Sequence, residues 1–347
     1  MHRQVHHPLL RWLQQPRLTR SDAVFLGATG CALAALAMLP LFASPYATMA
    51  MRDAMILGLF ALSYDLVWGK GWLLTLGHTA FLGIGAYAFA IATTQWGVAP
   101  LPGMLLGVAC SAGIAALFGG LLLFAGVRLQ FFAIMTIALL MIVQQIATSW
   151  QSVTGGDVGI LSVPPIVGGD ARQQVLGSYA LVVGCLAGVL LASWLVFRGP
   201  YGRILAAIGM NELRARSCGY RTAAHLLAIF SASAAVAGFA GALMAGVSGV
   251  VAPDVFSITL ATEVMLWVAI GGRGTLLGPV LAAVALTRLQ QQLSSHATEW
   301  WPLILGVTFL AFVMFAPRGL AGLLGGWRRR ERSPAAKVDG KPGEVTA

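Results

Sequence analysis

Charge is scarce in this chain. Asp and Glu number 12 and Lys and Arg 22, so charged residues make up 10% of the sequence, against about 25% in soluble proteins. An ordinary soluble domain is excluded. Cysteine is scarce as well. Cys31, Cys110, Cys185 and Cys218 stand singly and far apart, with no CxxC pair and no metal spacing, and they read as small packing residues. No GxxxxGK[ST] phosphate loop, Ser/His/Asp arrangement, paired catalytic carboxylates or haem motif occurs. The chain therefore has no nucleotide site of its own and no visible catalytic constellation. His2, His6 and His7 lie in a terminal arm, where such a cluster is read as incidental rather than metal-binding.

What is present is apolar. Hydrophobic residues make up 58% of the chain, and the mean hydropathy is +0.81. The apolar runs are long enough for membrane helices rather than barrel strands, and 42 glycines suit helices that approach one another closely in a bilayer. The expectation is an all-α integral membrane protein of about ten transmembrane helices. They are placed at 23–42, 48–68, 73–94, 102–126, 129–150, 178–197, 223–250, 258–270, 275–289 and 300–315. A basic arm, 1–21, precedes the membrane domain, 22–325, and a basic tail too polar to fold alone, 326–347, follows it.

An even number of spans puts both termini on one side. Lys70, Arg128, the loop 198–222, Arg273, Arg318 and the tail then share the side of the N-terminal arm. Positive charge marks that side as cytoplasmic. The net charge of +10 thus reflects topology and gives no indication of nucleic acid. Arg52, Arg172 and Arg288 fall on the far side with Asp157, Asp170, Asp254 and Glu299.

Three regions depart from plain spans. The loop 197–225 carries Arg198, Arg203, Arg214, Arg216 and Arg221 against one acid, Glu212. Gly199-Pro200 opens it and Cys218-Gly219-Tyr220 closes it. Between them, good helix formers from Arg203 to about Arg216 place Ile204, Leu205 and Ile208 along one flank. Such a helix is either a docking element for a cytoplasmic partner or a loop whose arginines only fix topology. The other two regions, 68–87 and 263–279, are hydrophobic yet broken by glycines, and they lie in different halves of the chain. Paired Gly-interrupted segments in two pseudo-repeated halves point to broken helices around a translocation site; the alternative is close packing by small residues. Ionisable residues inside spans cost roughly 2.5–3.5 kcal/mol or more in lipid. Tyr64-Asp65, His78 and Glu263 are therefore the candidates for a pathway or for buried pairing, with Gly77, Gly271 and Gly272 at the breaks.

The ordered motifs have a counterpart. Ala61-Leu62-Ser63-Tyr64-Asp65-Leu66-Val67-Trp68-Gly69 is followed by Leu76-Gly77-His78-Thr79-Ala80-Phe81 and by Gly155-Gly156-Asp157. Then come Arg198-Gly199-Pro200-Tyr201-Gly202-Arg203, Gly271-Gly272-Arg273-Gly274-Thr275 and Ala316-Pro317-Arg318-Gly319. Together, over about 48–325, they resemble the permease subunits of branched-chain amino acid ABC transporters. The resemblance implies a subunit of the bacterial inner membrane that pairs with a second homologous permease. Two cytoplasmic ATP-binding subunits would drive it, using ATP that this chain does not bind, and a periplasmic substrate-binding protein would deliver the cargo. The loop then corresponds to the ATPase-coupling element, with Glu212-Leu213-Arg214-Ala215 and Gly219 as a loose match to the importer motif and Arg203, Ile204, Leu205 and Ile208 on its helix. Two departures leave the cargo open. Lys70-Gly71-Trp72 replaces the family's Tyr-Thr-Gly, and Trp267-Val268-Ala269 is similar to urea and short-amide members. A stand-alone channel or ion-coupled carrier is the rival from another class, with only the isolated Asp65 and Glu263 to hold a coupling ion.

Overall fold

The computed structural model describes residues 20–127, 129–294 and 306–307. Among them the chain is helical, apart from one isolated bridge between Ile160 and Val251. In chain order the helices are α1 (Arg20–Met38), α2 (Pro45–Tyr64), α3 (Thr79–Thr94), α4 (Pro100–Phe124), α5 (Leu129–Ser149), α6 (Ala171–Arg198), α7 (Pro200–Met210), α8 (Glu212–Ser217), α9 (Thr222–Ser248), α10 (Ile258–Gly271) and α11 (Leu277–Ser294). They stand at nine of the ten expected spans; 300–315, the tail and most of the N-terminal arm lie outside the described residues. Helices α4, α6, α9 and, from Phe131, α5 are long and apolar enough to cross a membrane. The apolar part of α1, α3 and α10 are shorter.

Helix α9 is the hub, packing on α2, α3 and α4. Its 27 residues span about 40 Å at 1.5 Å per residue. Small residues let the hub's neighbours close in. Gly85 of α3 and Gly238 of α9 meet backbone to backbone, and Gly107 of α4 lies against the Gly85 carbonyl. Ser111 of α4 donates to the Phe81 carbonyl at 2.9 Å. With no hydrophobic drive between helices in lipid, such close contacts and interhelical hydrogen bonds hold the bundle.

Two ends can be told apart. At one end, Ile160 and Val251 exchange hydrogen bonds of 2.8 and 3.0 Å, and Asp170 with Gln173 forms the capping box of α6. At the other, basic end lie α7, α8 and the junctions α2–α3 and α10–α11. The expected single helix from Arg203 to Arg216 is in fact two. Asn211 adopts φ −163° and ψ 104°, and its Oδ1 accepts from Arg214 N at 2.9 Å, so it caps α8 rather than continuing α7. Asn favours caps because its side chain competes with the helix for backbone donors.

Candidate functional site: two helix breaks beside a basic helix pair

The first break follows α2. Residues Asp65–Lys70 form a π-helical turn, 71–78 are unwound, and α3 starts only at Thr79. The chain climbs back from the basic end into the bundle, for His78 ends beside Ser233, near the middle of α9. Unwound backbone at that depth needs protein partners, and it has them. Tyr64 Oη donates to the Thr75 carbonyl at 2.7 Å. The amides of Leu76 and Gly77 donate to Thr136 Oγ1 of α5 at 3.1 and 3.3 Å. Gly77 lies so close to the Thr136 carbonyl that a Cβ could not fit.

His78 is fully buried. Its Nε2 lies 3.1 Å from Ser63 Oγ and 3.3 Å from Ser233 Oγ. The ring stacks on Phe60 at 5.7 Å and meets Tyr64 and Phe81 edge-on. This is a packed, hydrogen-bonded histidine pinning the first break to α2 and α9.

The second break, 272–276, is a tight turn between α10 and α11. Gly271 and Gly278 face each other backbone to backbone, and Gly272 takes φ 99°. The two breaks thus differ in kind, one an unwound re-entry and the other a turn at the basic end. What joins them is Asp65. Its Oδ1 accepts from Gly274 N at 2.6 Å and its Oδ2 from Leu276 N at 3.0 Å. Arg273 lies 4.2 Å over the Trp68 ring and donates to the Trp68 carbonyl at 3.2 Å. The buried carboxylate is met by two oriented N–H groups, the arrangement such a charge requires. Glu263 stands apart, two turns up α10, accepting from Gln290 Nε2 of α11 at 3.3 Å.

Leu205 and Ile208, placed with Ile204 along one flank of the loop helix, are 2% and 5% exposed. With Ile204 half-buried against the same core, they seat α7 on its own bundle. The large apolar side chains most exposed on these two helices are Met210, 86% exposed, and Leu213, 76% exposed. Glu212, the one acid of the loop, accepts from Arg216 Nη2 at 2.7 Å and from Thr222 Oγ1 at 3.0 Å. It ties α8 to the start of α9. Arg203, Arg214 and Gly219 are exposed, and Gly219 takes φ 87° in the turn after α8. Tyr201 Oη donates to the His225 carbonyl at 2.9 Å, and burial pushes its phenol up to about 12.

Sequence reasoning missed Thr136, Ser63, Ser233 and the Trp68–Arg273 stack. A threonine or serine in an apolar helix was the available signal for the first three. Arg273 was noticed as a topological charge and as part of the Gly-Gly-Arg-Gly motif, not as the partner of Trp68.

The family model described as branched-chain amino acid transport system / permease component matches residues 46–313. The high-affinity branched-chain amino acid transport system permease protein LivM of Salmonella typhimurium is 29% identical over 297 residues, 77% of this chain and 68% of that protein. LivM of Escherichia coli gives the same identity and coverage. The autoinducer 2 import system permease protein LsrC of Photorhabdus laumondii is 30% identical over 137 residues, 38% of this chain and 41% of that protein. No solved structure matches the chain.

Proposed function

Because the chain belongs to the family of permease components of branched-chain amino acid transport systems, we propose that it is the translocating membrane subunit of an ABC importer for branched-chain or other hydrophobic amino acids. The basic end, carrying Arg203, Arg214, Arg216, Arg221 and Arg273, faces the cytoplasm of a bacterial inner membrane, as the positive-inside tendency requires. A second homologous permease completes the pathway, two ATP-binding subunits dock at α7 and α8, and a periplasmic binding protein hands over the cargo. The chain itself is a transport subunit and not an enzyme.

One observation carries the reading beyond the family. The two helix breaks are tied together at Asp65, beside the helix pair that presents bare Met210, Leu213 and Arg214. A pathway gate and a docking surface in contact are what an externally driven permease needs, whereas a self-sufficient carrier needs no docking surface. The cargo follows the relatives named for branched-chain amino acid transport, which match over 77% of the chain. The relative named for autoinducer 2 import matches only part of it, and a small polar cargo such as urea or a short amide is the second reading, supported by Trp267-Val268-Ala269.

The test is uptake into proteoliposomes containing the chain and its partner subunits. Labelled leucine should accumulate only with ATP and binding protein. Accumulation without ATP would make the chain a carrier or channel, and uptake of urea but not leucine would favour the second cargo.

A further inference from the structure

The indole of Trp72 lies against Gly209 of α7, in the space where a Cβ would stand. The same indole has the Arg273 guanidinium 5.9 Å from its centre. Arg273 in turn is stacked on Trp68 and flanked by Gly274, whose amide Asp65 holds. Contact therefore runs from α7 through Trp72 and Arg273 to the tie between the two breaks.

Backbone strain sits at the two ends of this route. Trp72 has φ 59° and Leu276 has φ 63°, left-handed values for bulky residues outside glycine. Such conformations persist only where their surroundings impose them, and they cluster at switching elements. At Leu276 the imposing group is Asp65, which holds its amide. At Trp72 it is the seat between Gly209 and Arg273. The indole is itself 52% exposed, so no buried core locks it.

We propose that Trp72 is a positioning residue that transmits movement of α7 to the Asp65 tie, so that displacing α7 frees the second break. The proposal rests on α7 and α8 being the docking site. A shift of α7 moves Gly209, Trp72 loses its seat, and Arg273 is released from one face of its stack. Gly274 and Leu276 then come away from Asp65, leaving α10 and α11 free to move relative to α2.

The experiment uses the full chain, assembled with its partner subunits in proteoliposomes, with two readouts. One is deuterium exchange of the backbone over 273–277; the other is cargo taken up per ATP hydrolysed. Trp72→Ala should raise exchange over 273–277 at least tenfold and lower the uptake ratio at least fivefold, while Trp72→Phe stays within twofold of the wild type on both. Gly209→Ala, which pushes the indole off its seat without deleting it, should reproduce both changes. Trp96→Ala, an exposed tryptophan remote from α7, should change neither. Wild-type exchange and an unchanged uptake ratio in both Trp72→Ala and Gly209→Ala would overturn the relay. Should the ATP-binding subunits fail to assemble with the wild-type chain, the docking reading falls separately. Exchange in the chain alone then decides the relay: a tenfold rise in Trp72→Ala upholds it and no rise overturns it.

Discussion

The carboxylate of Asp65 holds the amide of Gly274 at 2.6 Å, across 209 residues of sequence. Its second oxygen takes Leu276 N at 3.0 Å. One side chain at the end of α2 thus supplies acceptors to two donors in the turn between α10 and α11. The buried acid that looked like a candidate ion ligand accepts a backbone hydrogen bond on each of its two oxygens.

Removing that acid should loosen the turn. A hydrogen bond to a charged group contributes about 1.5–3 kcal/mol, and orphaning a buried donor costs about as much again. Asp65→Ala should therefore lower stability by roughly 3 kcal/mol or more. Asp65→Asn, which keeps one acceptor oxygen, should lose less. Thermal unfolding of the purified chain in detergent ranks the three. Equal midpoints for wild type and Asp65→Ala would mean the two amides find other acceptors.

Thr136 makes a parallel case at the first break. Thr136→Val preserves shape but withdraws the acceptor from the amides of Leu76 and Gly77, at about 1–3 kcal/mol per orphaned donor. Thr136→Ser keeps the hydroxyl and should stay near the wild type. Gly77→Ala should be worse than either, because its new methyl meets the Thr136 carbonyl, a backbone atom that cannot rotate away. Limited proteolysis within 71–78 and the unfolding midpoint should report the same order.

Much of this architecture was legible in the sequence because membrane helices announce themselves by length and apolarity. The apolar runs of α4, α5 and α9 correspond to helices within a few residues, while α6 begins seven residues before its expected span. The glycine-broken stretch 68–87 was legible for the same reason, as an apolar run that glycine interrupts. What joins the breaks was not, since nothing in a lone Asp65 says which amides, 209 and 211 residues on, will meet it. What covers the apolar flank of α7 was not legible, for a more general reason. Apolar residues at helical spacing show that Leu205 and Ile208 are covered, not what covers them, and the answer is their own chain. The break at Asn211 was hidden among good helix formers, where a single cap outweighs the propensity of its neighbours.

Orientation can be checked directly. Cysteine placed at Gly168, exposed in the loop before α6, should react with an impermeant maleimide from outside, whereas cysteine at Arg214, exposed on α8, should react only after the membrane is opened. The opposite pattern would invert the basic end and remove the docking role of α7 and α8 with it.

The proposed docking surface separates two kinds of residue. Met210 and Leu213 are bare in this chain, so nothing within it depends on their side chains. Met210→Ala and Leu213→Ala should leave the unfolding midpoint of the isolated subunit within error of the wild type, yet reduce the amount of ATP-binding subunit that co-purifies with it. Exposed apolar residues flanked by charge are the ones whose truncation weakens association. Ile208 should behave the other way round. It is 5% exposed and seats α7 on the bundle, so Ile208→Ala should cost about 2–5 kcal/mol of the subunit's own stability through the lost burial and the cavity left behind. Glu212→Gln should do little to either measurement, because its partly exposed pair with Arg216 belongs to a class worth about 0.2–1 kcal/mol. If Met210→Ala and Leu213→Ala together left co-purification unchanged while Ile208→Ala abolished it without destabilising the chain, the partner would be reaching the inner face of α7. The helix would then have to leave its seat on binding, and the exposed residues would have no part in docking.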